Sequence, residues 1–104
     1  MDEALKLKFH RAMLNIYHTA KKDLGYNATR FLQMLSSPDE SIRTAKRFVL
    51  SSKPSDGFAE LWKRNRLDLT VEALVAYETA YSQLFTDEER EAARARLTDM
   101  GYQP

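Results

Sequence analysis

Apolar residues recur at steps of three and four along most of the chain, the stripe expected of helices with one core-facing side. Leu5, Phe9, Ala12, Met13, Ile16, Tyr17, Ala20 and Leu24 predict a first helix of about twenty residues. Gly25 ends it, with Tyr26 placed to fold back against the last turn. Met100, Gly101 and Tyr102 repeat the same stop near the other end. Asn27 is a good cap for a short second helix over 28–35 that carries Phe31, Leu32 and Leu35. Ser37, Pro38, Asp39 and Glu40 then combine a capping hydroxyl, proline at the first helical position and glutamate at the third. The helix they open, over 39–50, has Ile42, Ala45, Phe48 and Val49 as its stripe.

After a loop containing Pro54, Ser55 or Asp56 opens a short helix with Phe58, Leu61 and Trp62 inward. Glu60 and Arg64 stand four apart in the favourable order for a surface pair. Thr70 caps a fifth helix that carries Val71, Leu74, Val75, Tyr77 or Glu78, and Tyr81. The alternating run from Leu67 to Val75 also fits a strand, but a lone strand leaves its backbone groups unpaired, so helix is the expectation. Thr86, Asp87, Glu88 and Glu89 form a second capping box before a last helix with Ala92, Ala93, Leu97 and Met100. The expected fold is all-α: one compact domain over 1–104, a bundle of five or six short helices with loops of about two to six residues.

Composition agrees, with 104 residues, 43% hydrophobic and 30% charged, and only three Gly and three Pro. Without cysteine there is no disulfide framework, thiol nucleophile or thiolate metal site. The segment MDEALKLKFHRAML has no contiguous apolar h-region, and no stretch reaches the roughly 18–20 apolar residues of a membrane span. A cytoplasmic chain without membrane contact is the expectation. The net charge of +1 hides a polarity: nine Lys/Arg against five Asp/Glu gives +4 over 1–52, and seven against ten gives −3 over 53–104.

Candidate chemistry is sparse. His10 and His18 lie eight apart on the first helix, about 12 Å along its axis, too far for one metal ion. No metal site, cofactor or catalytic residue is expected. Three scattered glycines make no phosphate cradle, and no serine sits in a GxSxG turn. Asp39, Glu40, Asp87, Glu88 and Glu89 stand where helix starts favour negative charge. Glu72 and Glu78 fall within the apolar fifth helix, where part-burial would raise a carboxylate pKa. Arg66, Asp68 and Glu72 are the polar cluster that an enzymatic role would need, and an enzyme is the least favoured class.

Two binding readings remain. Arg30, Arg43, Lys46 and Arg47 could share a basic surface, and residues 28–50 have helix-turn-helix proportions. However, Leu32 stands where that motif wants a small residue, and its turn is Ser-Ser-Pro without glycine. Alternatively, Trp62 with Lys63, Arg64 and Arg66 offers an anchor of the type that dominates protein interfaces. The aromatic-rich inventory leaves Tyr17, Phe58, Trp62, Tyr77 or Tyr81 as surface for a protein partner or homodimer.

The pieces YNATRFLQM (Tyr26 to Met34), TAK (Thr44 to Lys46), SDGFAELW (Ser55 to Trp62), RLDLTVEAL (Arg66 to Leu74) and the closing Arg96, Leu97, Gly101, Tyr102 resemble a small bacterial all-α domain family of uncharacterised role. The resemblance covers nearly the whole chain. Ser36, Ser37 and Pro38 stand where that family has Gly-Gly after the second helix. It implies a reusable helical module and no particular reaction. The expected function is a small binding or protein-interaction module, with nucleic-acid association through residues 28–50 as the alternative.

Overall fold

In the computed structural model, which describes residues 2–104, six α-helices are joined by short loops and two 3₁₀ turns, with no strand among the described residues. They are α1 (Glu3–Leu24), α2 (Thr29–Gln33), α3 (Pro38–Leu50), α4 (Asp56–Lys63), α5 (Val71–Tyr77) and α6 (Asp87–Asp99), with 3₁₀ turns at Leu67–Leu69 and Thr79–Leu84. The all-α expectation stands. α3 is the central element, packed against α1, α5 and α6, and α5 lies along α6. The radius of gyration of 12.6 Å is close to the ~12.8 Å of one compact domain of this length.

Local chemistry sets the boundaries. Asp2 caps α1 by accepting from the amides of Ala4 and Leu5. Ser37, Ser55 and Thr70 cap α3, α4 and α5, each accepting from the amide three residues on. Thr86 and Glu89 make the full reciprocal box at the start of α6. Gly101 (φ +82°) and Tyr102 close α6 with the paired bonds of a Schellman stop, Tyr102 N to Leu97 O and Gly101 N to Thr98 O, each 3.0 Å. Gly25 is also left-handed (φ +66°), but there Tyr26 N reaches one residue further back, to Ala20 O at 3.2 Å. The two helix ends share a glycine and differ by one residue in register.

Three expectations need correction. Asn27 does not cap α2. Ala28 holds that position with no side-chain bond, α2 is only Thr29–Gln33, and Asn27 Oδ1 is taken by the Tyr17 hydroxyl. The fifth helix does not run on to Tyr81, because Glu78 is extended (φ −84°, ψ 96°) and a 3₁₀ turn follows. After the break, Tyr81 and Phe85 both meet the Phe9 ring edge-on, each at 5.2 Å between centroids. It also leaves Glu78 exposed and outside the helix. Finally, Trp62 is 47% exposed while Phe58 and Leu61 are buried. Phe58 and Leu61 define the inner face of this short helix, and Trp62, about 100° further round from Leu61, falls beyond its edge.

Candidate binding cavity

The end of α1, the loop to α2, the start of α4 and the start of α5 border a cavity of about 470 Å3 that opens to solvent. Its walls are mostly apolar, with Ile16, Ala20, Phe31, Phe48, Phe58 and Val71 among them. Exposed Asn27, Thr29, Arg30 and Asp56 stand at its rim, and buried Thr70 and Glu72 belong to its inner wall. Its frame follows from the helix stops. Gly25 turns the chain at the end of α1, and the Tyr17 hydroxyl then donates to Asn27 Oδ1 at 2.5 Å, tying the loop back to α1. Arg64 covers the Tyr26 ring at 5.4 Å from its centroid. Phe31 and Phe48 join α2 to α3 with ring centroids 6.2 Å apart.

On the inner wall, Thr70 accepts from Ala73 N at 3.1 Å and donates to Leu67 O at 2.7 Å. Glu72 is 1% exposed. Burial pushes its carboxyl above the usual glutamate range, against the opposing pull of its own backbone amide and of Arg96. Arg96 Nη1 donates to Glu72 Oε2 at 3.1 Å and to Phe48 O at 2.9 Å, while Nη2 donates to Ser51 O. One guanidinium from α6 thus binds a carboxylate on α5 and caps the carbonyl end of α3.

The residues singled out from sequence do not form one site. Arg30 lies at the cavity rim. Arg43 is paired with Glu40. Lys46 reaches Glu89 at 2.8 Å, with its ammonium 5.3 Å from the centre of the Phe85 ring. Arg47 is exposed, with Nη2 3.9 Å from Met34 Sδ. Arg64 pairs with Glu60 at 3.3 Å. Arg66 grips Asp68 with two bonds, at 3.0 and 3.2 Å. Glu72 turns instead to Arg96, so the Arg66, Asp68 and Glu72 cluster divides into a surface pair and a buried one. Of the five aromatics considered as partner surface, Tyr17, Phe58 and Tyr81 are buried and Tyr77 is half-buried, which leaves Trp62 as the exposed one.

Among the described residues no group of three or more His, Asp or Glu could hold a metal ion. His10 Nδ1 lies 2.6 Å from the Ser41 hydroxyl, joining α1 to α3. Likewise, no described helix is long and apolar enough to cross a membrane. A second cleft, about 440 Å3, lies between α1 and α5 and includes Asn15, Asp68, Tyr77 and Tyr102. Sequence reasoning missed Arg96 and Asn27 as site residues, and took Tyr17 as partner surface where it instead ties the loop to α1. Arg96 offered one signal, its place beside Leu97 on the inner side of α6. Comparison with family models, curated proteins and solved structures gives no match.

Proposed function

We propose that this chain is a binding module whose receptor site is the cavity between α1, α2, α4 and α5, and that the site receives an apolar or aromatic group of a protein partner. The observation that carries this reading is the cavity itself. At about 470 Å3 it lies within the roughly 300–1,000 Å3 of sites that bury a guest, and it pairs apolar walls with a few placed polar groups. Those polar groups are already held. Tyr17 is engaged by Asn27, Thr70 by Leu67 and Ala73, and Glu72 by Arg96. Fixed donors and acceptors orient a guest, which suits recognition better than proton transfer.

Exposed Trp62 supports a protein contact on α4 as a second anchor, since tryptophan is enriched among interface hot spots. Residues 28–50 support nucleic-acid contact less, because Arg43 and Lys46 are neutralised by Glu40 and Glu89. The test is an NMR titration with small aromatic and aliphatic fragments. Resonances of Ile16, Ala20 and Val71 should shift, and the bulky variant Ala28→Trp should abolish the shifts while keeping the fold. Fragments that leave these residues unmoved, or move them equally in Ala28→Trp, would refute the site.

A further inference from the structure

The outer face of α1, opposite the side that lines the cavity, carries a line of cations. Lys8, Arg11 and Lys22 recur at helical spacing on one exposed stripe that also holds Asn15 and His18, with exposed Lys21 beside it. None of Lys8, Arg11, Lys21 and Lys22 holds an ion pair with a described residue. The carboxylates of α1 are used at its ends: Asp2 on the first amides, Glu3 on Lys6, and Asp23 facing Arg66 at 4.0 Å. Elsewhere the arginines and lysines are mostly matched, as in Arg43 with Glu40, Lys46 with Glu89, Arg64 with Glu60 and Arg94 with Glu91. Residues 2–24 carry five of the nine cations of residues 1–52 against three carboxylates, half of the +4 excess, and four of those five hold no ion pair with a described residue.

We infer that this stripe binds duplex DNA through its phosphates. At about 1.5 Å per residue, the pair Lys8 and Arg11 is centred ~18 Å from the pair Lys21 and Lys22. A B-form major groove is about 12 Å wide between its flanking backbones, so a helix laid across it sets one pair on each strand. Between the pairs stands Asn15, uncharged and exposed, with no apolar bulk to keep the helix off the duplex. Leu7, 40% exposed, is the one large apolar residue on this face, too little for insertion into a lipid surface. Binding through phosphates alone is independent of sequence and sensitive to salt.

Fluorescence anisotropy with a labelled duplex of about 20 base pairs tests the inference. Four phosphate contacts predict a slope of log affinity on log salt near −3.6, or about a 150-fold loss between ~50 and ~200 mM salt. Lys8→Glu with Lys22→Glu should weaken binding at least ~10-fold at the lower salt, with an unchanged circular dichroism spectrum. Arg43→Glu with Arg47→Glu, on α3, should change it by less than ~2-fold. The inference is overturned if no binding occurs at the lower salt, if the α1 reversal binds like the parent, or if the α3 reversal is the more damaging. It is equally overturned if the stripe binds only anionic phosphatidylserine vesicles, or only the acidic surface of a second copy. The second case would show in sedimentation as a dimer dissolved by the α1 reversal. Because the cavity lies on the opposite side of α1, loss of either activity leaves the other standing.

Discussion

Glu72 and Arg96, 24 residues apart in sequence, meet at 3.1 Å inside the bundle, with only 1% and 13% of their side chains exposed. The same guanidinium holds the carbonyls of Phe48 and Ser51 at the end of α3, so one side chain locks three helices. Removing one partner of a buried pair strands the other, and Glu72→Ala or Arg96→Ala should each cost about 3–5 kcal/mol. Replacing both by methionine often restores stability at a simple buried pair. Here it should still leave a deficit of about 1–2 kcal/mol, because the Phe48 and Ser51 carbonyls lose their donor. Urea unfolding of the three variants checks this, and a double variant as stable as the parent would show that the carbonyl bonds contribute nothing.

Trp62 and Phe58 sit one turn apart on α4 with opposite environments, 47% and 3% exposed. Phe58→Ala should therefore cost about 3–5 kcal/mol, whereas Trp62→Ala should change stability by under about 1 kcal/mol. As the only tryptophan, Trp62 makes its own exposure readable. Its emission should be that of a hydrated indole and be quenched efficiently by iodide in the folded protein. Emission shielded from iodide would contradict the exposed position.

These two residues also mark where sequence reading stops. Most helix starts are legible because a capping hydroxyl acts on amides two or three residues away, so Ser37, Thr70 and Thr86 declare themselves locally and Ser55 is one of two candidates, whereas α2, which has no side-chain cap, does not. The stripe of α1 was legible for a similar reason: 22 residues average out individual exceptions. α4 has eight residues, and about two turns of pattern cannot say on which side of Leu61 the core ends, so spacing alone places Trp62 inward. Past the break at Glu78, Tyr81 and Phe85 pack on Phe9 from far along the chain, a contact that local spacing does not encode. The Glu72 and Arg96 pair and the cavity beside it depend on α5 packing along α6, which no local spacing encodes.

The glycines separate conformational need from space. Gly25 has open space around a would-be Cβ but a φ of +66°, where an L-residue is strained by roughly 1–2 kcal/mol. Gly57 lies in the first turn of α4 with ordinary φ, and a Cβ there would meet nothing closer than Ser55 Oγ at 3.8 Å. Gly25→Ala should destabilise by about 1 kcal/mol, while Gly57→Ala should be neutral or stabilise by up to ~1 kcal/mol through lower unfolded-chain entropy. Thermal melts should place Gly25→Ala below the parent and Gly57→Ala at or above it. A Gly57→Ala variant that melts well below the parent would show that the cavity wall has no room for a methyl group.

Glu72 and Glu89 should bend the pH profile of stability in opposite senses. At Glu89, burial pushes the carboxyl up, but Lys46 and the Thr86 amide together outweigh it and hold it below the ordinary glutamate value of 4.5. Its ionised form therefore stabilises the fold above that value, and the contribution is lost as pH falls through the lower folded one. Glu89→Gln should be less stable than the parent near neutral pH, with the gap closing below about pH 4.5. Glu72 is raised above 4.5 because burial outweighs Arg96 and its own amide. The folded state then takes up its proton first as pH falls, and stability gains from this group between the folded value and 4.5. Near neutral pH Glu72→Gln, which keeps an acceptor for Arg96, should be at least as stable as the parent, and the parent should gain on it as the solution is acidified. Denaturant unfolding across this range decides the contest between burial and pairing. If Glu72→Gln is instead the less stable at neutral pH and recovers in acid, attraction to Arg96 governs the site and burial does not.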